Sequence, residues 1–206
     1  MISLLETESF NNLESILDTI STDGAVSIRV LTEGGRASLL EEAKGYRFDS
    51  RTAGLRNTEF SVLDGNLHRR SLFLVLRDQF ELMLNDKLSK LPEYPFSTRL
   101  HFDSTRLQRY AEGSPGISRH IDGVMYRNLI CIFVIDGYGR FFICDDNGRK
   151  SKEVDTTPGN AIIIREMGFK GYNDHQNHYV RDIQTERYVF ILGQSDPLIH
   201  KRSAAL

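Results

Sequence analysis

The apolar positions change their period part-way along the chain. Phe10, Leu13, Ile16, Leu17 and Ile20 recur at three- and four-residue intervals, the spacing that stacks side chains on one helix face. Asp23-Gly24 ends that run, and Val26, Ile28 and Val30 then alternate as in a strand. Gly34-Gly35 precedes a short helix expected over about Ala37 to Ala43, with Lys44-Gly45 as its stop. Ser71 can cap a longer helix to about Leu88, whose Leu72, Leu76, Phe80, Met83 and Leu84 form one side fit to cover a sheet.

From about Thr98 the pattern turns to short β runs broken by Gly, Pro, Asn and Asp, the mark of an antiparallel sandwich or barrel. The runs are Arg99 to Tyr110, Ser118 to Gly123, Asn128 to Ile135, Arg140 to Cys144, Ala161 to Ile164 and Arg187 to Leu192. The expected architecture is mainly β with N-terminal helices: positions 1–97 elaborate a β core over 98–206, together one compact domain. Asn128 to Asp145 reads as a hairpin turning at Asp136-Gly137-Tyr138-Gly139. With Gly137-Tyr138 as the loop, Cys131 faces Cys144; with Asp136-Gly137, it faces Phe142. Two buried, reduced thiols are expected, a cross-strand bond being the alternative.

Composition narrows the partners. At 206 residues, with 40% hydrophobic and 26% charged positions, the chain can bury an ordinary core. A net charge of -2 gives no overall basic field for a polyphosphate backbone, so nucleic acid is a disfavoured partner. No apolar run reads as a signal peptide or membrane span, and two cysteines outside any Cys-x-x-Cys pair fit a reducing, cytoplasmic setting.

The most informative triplet is His120-Ile121-Asp122, because alternate strand residues share a face and an imidazole and a carboxylate can grip one ion. That pair suits Fe(II), and a further His would complete a two-His, one-carboxylate face with coordination positions left open. His175 and His178 are the candidates. His178-Tyr179-Val180 alternates as a strand start, which favours His178. Arg187 follows His178 by nine positions and enters the apolar run Tyr188 to Leu192. A cation there needs a partner, which the distal carboxylate of an iron-chelating dicarboxylic cosubstrate would supply. An ion pair with Glu186 or Asp182 is the structural alternative.

Taken together these residues resemble the 2-oxoglutarate and Fe(II)-dependent oxygenase superfamily. The resemblance covers about Leu107 to Gln194: Leu107 to Gly113, the His-x-Asp pair, Gly137 to Phe142, Pro158-Gly159-Asn160-Ala161 before Ile162 to Ile164, His178, and Glu186-Arg187-Tyr188. It implies a double-stranded β-helix, or jelly roll, of cupin-like form. It also implies Fe(II) on His120, Asp122 and His178, and 2-oxoglutarate as a cosubstrate held by Arg187. The activity implied is oxidative decarboxylation of that cosubstrate to succinate and carbon dioxide, coupled by dioxygen to hydroxylation of a small-molecule substrate.

Tyr110 could donate its hydroxyl to the cosubstrate or to backbone, and Asn128 could face the iron pocket or cap a turn. Two positions depart from family patterns: Arg187 sits one position closer to the distal His than in the prolyl-hydroxylase-like arrangement, and Val189 stands where many members have Ser. Gly193 replaces a second Arg typical of alkylated-nucleic-acid demethylases, which demotes that activity. A silent jelly-roll binding module and a cupin-like metalloenzyme without 2-oxoglutarate are the rival readings. Arg119 reads as solvated, and His68, His101 and His200 as ordinary histidines.

Overall fold

The computed structural model of the protein describes residues 3–51, 60–64 and 67–196. Helix α1 (Leu13–Asp23) starts where the Asn12 side chain accepts from the Ser15 amide, and ends at Gly24 in the left-handed region, φ 85°. Strand β1 (Ala25–Arg29) follows, then α2 (Glu33–Lys44), capped by Thr32 accepting from the Gly35 amide. Gly34 and Gly35 therefore lie inside α2 rather than before it. Gly35 is there for space, since a Cβ would sit 2.8 Å from the Leu4 backbone.

Two short strands, β2 (Asp49–Arg51) and β3 (Phe60–Asp64), precede α3 (Leu72–Leu88). Ser71 caps α3 as its position predicts, and the Glu42 carboxylate, 2.8 Å from the Leu72 amide, adds a negative group at the helix start. Eight further strands complete the chain: β4 (Ser104–Tyr110), β5 (Ile117–His120), β6 (Tyr126–Asp136), β7 (Arg140–Cys144), β8 (Ser151–Val154), β9 (Asn160–Arg165), β10 (Asn177–Arg181) and β11 (Arg187–Ser195).

These strands form a seven-stranded sheet in the order β1-β9-β6-β11-β4-β3-β2 and a four-stranded sheet in the order β5-β10-β7-β8. All pairings are antiparallel, and from β4 to β11 the chain crosses repeatedly between the sheets, which makes a jelly roll. Strands β1 and β3, from the N-terminal part, extend the larger sheet at either side of that core.

The larger sheet is buried on both faces. Along β6, Leu129, Cys131, Phe133 and Ile135 pack into the layer with Phe73, Leu76 and Phe80 of α3, while Ile130, Ile132 and Val134 face the smaller sheet with Phe141, Ile143 and Val180. A strand covered on both sides reads as a continuous apolar run, as β6 does. Helix α3 does cover the sheet. Among the described residues no helix is long and apolar enough to cross a membrane.

The hairpin expectation is corrected by this arrangement. Strand β6 pairs with β9 and β11, and β7 with β10 and β8, so Gly137 to Gly139 carries the chain from one sheet to the other. Glycine and two apolar strands suggested a turn, but both strands needed a partner on each side and two buried faces. Gly137 has φ 80°, and a Cβ on it would lie 2.1 Å from the Glu186 carbonyl oxygen. Cys131 and Cys144 end up on different sheets, both buried and free.

Candidate metal and cosubstrate site

The barrel interior brings three of the expected residues together. His178, second in β10, lies directly opposite His120, last in β5, and their rings are 4.3 Å apart between centroids. Asp122 falls just beyond β5 rather than within it, and its Oδ2 is 3.6 Å from His178 Nε2. One ligating atom from each of His120, Asp122 and His178 lies within 4.8 Å of the others. That spread suits a single ion, which would draw the three atoms onto it.

Second contacts fix the imidazoles. His120 Nδ1 is 2.9 Å from the Ser118 carbonyl and His178 Nδ1 is 3.1 Å from that of Gln176, so each ring can donate from Nδ1 and keep Nε2 as a ligand. Burial, and then the neighbouring His178, hold His120 down at about 4, a neutral imidazole at physiological pH. Asp122 Oδ2 is buried with no hydrogen-bond donor among the described residues. A buried carboxylate oxygen facing two imidazoles in this way fits a cation.

His175 is placed differently. Its Nδ1 is hydrogen-bonded to Glu166 Oε2, and Glu166 is fully buried just past the end of β9. Burial raises the Glu166 carboxyl above the ordinary carboxylate range, opposed by the hydrogen bond from His175. In sequence Glu166 is only one charge in Arg165-Glu166-Met167. Inward parity with Ile162 and Ile164 was the available signal for it.

A cavity of about 190 Å3 runs inward from His120, Asp122 and His178 past Arg106, Gln108 and Tyr110 between Ile117, Ile132, Phe141, Val180 and Ile191. Tyr110 sits at its wall, its hydroxyl donating to Gln108 Oε1 at 2.9 Å rather than to backbone, and burial pushes it up to about 12. Arg187 pairs in register with Tyr110 across β4 and β11, and its guanidinium carbon is 5.4 Å from the Tyr110 ring centroid. Arg187 is 1% exposed, and its Nε and Nη2 have no acceptor among the described residues. Burial draws its pKa below the usual arginine value. Its neighbours in sequence are otherwise engaged: Glu186 with Arg109 and Tyr188, and Asp182 with Arg140 and Arg181.

Asn128 does not line the cavity. At φ 63°, its side-chain nitrogen donates to Thr98 and to Gln194, which ties the segment before β4 to the end of β11. Arg119 lies on the surface beside Asp146 and Asn177. His68 stacks on Tyr46 and His101 meets Glu81 at the surface; His200 is outside the described residues. A larger cavity of about 800 Å3, between α1 and the segments around Tyr94 and Tyr172, lies apart from this cluster.

No protein-family model matches the chain, and no curated protein matches it. Solved structures do. A prolyl hydroxylase from Trichoplax adhaerens, in complex with a hypoxia-inducible-factor peptide fragment, is 14% identical with a TM-score of 0.70, the match covering 94% of this chain and 92% of that one. A 2OG-Fe(II) oxygenase family oxidoreductase from Burkholderia pseudomallei is 13% identical with a TM-score of 0.66, covering 90% and 91%. An oxygenase-like protein from Shewanella oneidensis is 14% identical with a TM-score of 0.64, covering the whole of both chains. The chain has the jelly-roll fold of the 2OG-Fe(II) oxygenases.

Proposed function

We propose that the protein is a non-haem Fe(II) and 2-oxoglutarate-dependent dioxygenase that hydroxylates a small molecule, releasing succinate and carbon dioxide. One observation carries the reading: a His-Asp-His cluster lines a narrow cavity whose wall includes Tyr110, and a fully buried arginine, with two nitrogens unpartnered among the described residues, packs on that Tyr110 ring. A binding module has no need of the first, and an oxygenase that does without a dicarboxylic cosubstrate has no need of the second.

In this reading His120, Asp122 and His178 hold the metal, and Arg187 holds the distal carboxylate of 2-oxoglutarate through its two free N–H directions. Bound iron with its cosubstrate supplies the activation of dioxygen. The chain's own residues bind, orient and exclude water. Gln108 fixes the hydroxyl of Tyr110, the ring on which Arg187 packs, and the Ile117, Ile132, Phe141, Val180 and Ile191 walls keep solvent from the reacting centre. At about 190 Å3 the cavity takes the cosubstrate and little more, so the primary substrate enters from the metal side.

The test is succinate formation from 2-oxoglutarate by purified protein across candidate substrates, with Fe(II), dioxygen and cosubstrate withdrawn in turn. The reading requires dependence on all three and loss in Asp122→Ala. Turnover that persists without 2-oxoglutarate would favour the metalloenzyme alternative, and a protein that retains no iron would favour a binding module. Activity on a peptide alone would correct the substrate class.

A further inference from the structure

Glu166 and His175 form a hydrogen-bonded pair in which each partner keeps one buried polar atom free: Glu166 Oε1 and His175 Nε2 have no hydrogen-bond partner among the described residues. Glu166 is 0% exposed and the His175 side chain 7%. Buried polar atoms in native proteins are nearly always paired, so two orphans on one pair mark a place with hydrogen-bonding capacity to offer a ligand.

Their place in the barrel says which ligand they would meet. Arg187 and Tyr110 pair at one end of the inward face. Ile132, opposite both Ile191 and Ile162, lies midway, then Ile130 opposite Ile164. Glu166 comes next, its amide bonded to the Asn128 carbonyl. Glu166 therefore stands at the opposite end of this face from Arg187, and among its charged neighbours are Asp122 and His178. Arg187 and this pair thus stand at opposite ends of the face that looks across the barrel to the sheet carrying His120 and His178.

Asp122 adds negative charge near Glu166, and the nearest fixed cation in sequence, Arg165, is turned outward to Asp174 at 2.6 Å and to the Tyr172 ring at 4.1 Å. A His175 ring that carries one proton and donates it from Nδ1 to Glu166 leaves Nε2 as a lone pair, so both free atoms can accept. A group with several N–H bonds and a positive charge satisfies both and neutralises the carboxylate.

Building on the oxygenase reading above, we propose that Glu166 with His175 is the recognition subsite for the primary substrate, and that this substrate carries an ammonium, amidinium or guanidinium group bound beyond the metal. The pair is a specificity determinant: it places the cationic nitrogen so that the adjoining carbon chain lies at the metal.

The test starts from the anaerobic Fe(II) and 2-oxoglutarate complex, whose metal-to-ligand absorption establishes the underlying site on its own. Agmatine and putrescine are titrated as cationic probes, against 1,4-butanediol and N,N'-diacetylputrescine as neutral ones. At least one cationic probe should perturb the band saturably, neutral probes should not, and Glu166→Gln should weaken that probe tenfold or more while the unliganded band is unchanged. Glu166→Asp, which keeps the charge but withdraws the oxygen, should also weaken it, and covers the case in which Glu166→Gln does not fold. An intact band that no cationic probe perturbs, or equal probe affinity in wild type and both variants, would overturn the subsite alone. Absence of the band in wild type would overturn the oxygenase reading and the subsite with it.

Discussion

Replacing Arg187 by methionine should separate binding from stability. Methionine matches the stem of the side chain and removes the cation. In the unliganded protein Arg187 is 1% exposed, has no acidic partner among the described residues, and leaves Nε and Nη2 unbonded. Among the described residues its guanidinium packs on the Tyr110 ring at 5.4 Å, a contact worth about 2 kcal/mol when desolvated. Removing an uncompensated buried charge gains a similar amount, so stability should stay within about 1 kcal/mol of wild type or rise. Affinity for 2-oxoglutarate should collapse. Two lost charge-assisted hydrogen bonds at about 1.5 kcal/mol each amount to about 3 kcal/mol, or roughly 150-fold. Urea denaturation with and without cosubstrate reads both effects. At a cosubstrate concentration 100 times the wild-type Kd, wild type should gain about 2.7 kcal/mol and Arg187→Met only about 0.3 kcal/mol. A variant that lost about 3 to 5 kcal/mol without cosubstrate, yet was still stabilised by it, would show instead that Arg187 belongs to a buried structural ion pair.

His175→Ala should leave Fe(II) affinity within severalfold of wild type while His178→Ala abolishes it; equilibrium dialysis against Fe(II) under nitrogen decides, and the reverse order would return the ligand role to His175. Metal-free protein should lose stability as pH falls from 6.5 toward 4, because the unfolded chain protonates His120 while the folded ring, held at about 4, does not; the loss is at most about 3 kcal/mol, and His120→Gln should flatten that part of the urea-midpoint profile. Cys131 and Cys144, on separate sheets, should form no intramolecular disulfide, and Cys131, fully buried, should react with a thiol reagent only on unfolding; mass spectrometry of alkylated native and denatured protein checks both. Gly137→Ala should destabilise by at least about 2 kcal/mol, since it adds a left-handed backbone penalty to a contact 2.1 Å from the Glu186 oxygen; a denaturation midpoint equal to wild type would contradict it.

What the sequence made legible was local or periodic. The Ser71 cap and the apolar side of α3 were visible because capping and helical spacing act over a few residues. Arg140 to Cys144 had the bounds of β7 because polar turn residues flank an apolar run. Strand β8, Ser-Lys-Glu-Val, was missed because its exposed edge position lets polar residues dominate, and β2 and β3 are short strands added outside the jelly roll. The pairing of β6 was misread because an apolar run does not say which strands flank it. At the candidate site, the residues that the structure brings together, His120, Asp122 and His178 with Tyr110 on the same cavity, were singled out from residue type, spacing and resemblance to a family. Glu166 was not, since a charged residue after a strand usually faces water and its burial depends on the loop that returns His175 over it.

The most direct measurement is anaerobic titration of Fe(II) and then 2-oxoglutarate into the metal-free protein, followed by absorption. One Fe(II) should bind per chain, followed by a metal-to-ligand band that saturates with one equivalent of 2-oxoglutarate. Asp122→Ala should lose the iron, and Arg187→Met should keep the iron but reach the band only at far higher cosubstrate. Tight iron binding by Asp122→Ala, or a band of equal cosubstrate affinity in Arg187→Met and wild type, would contradict it.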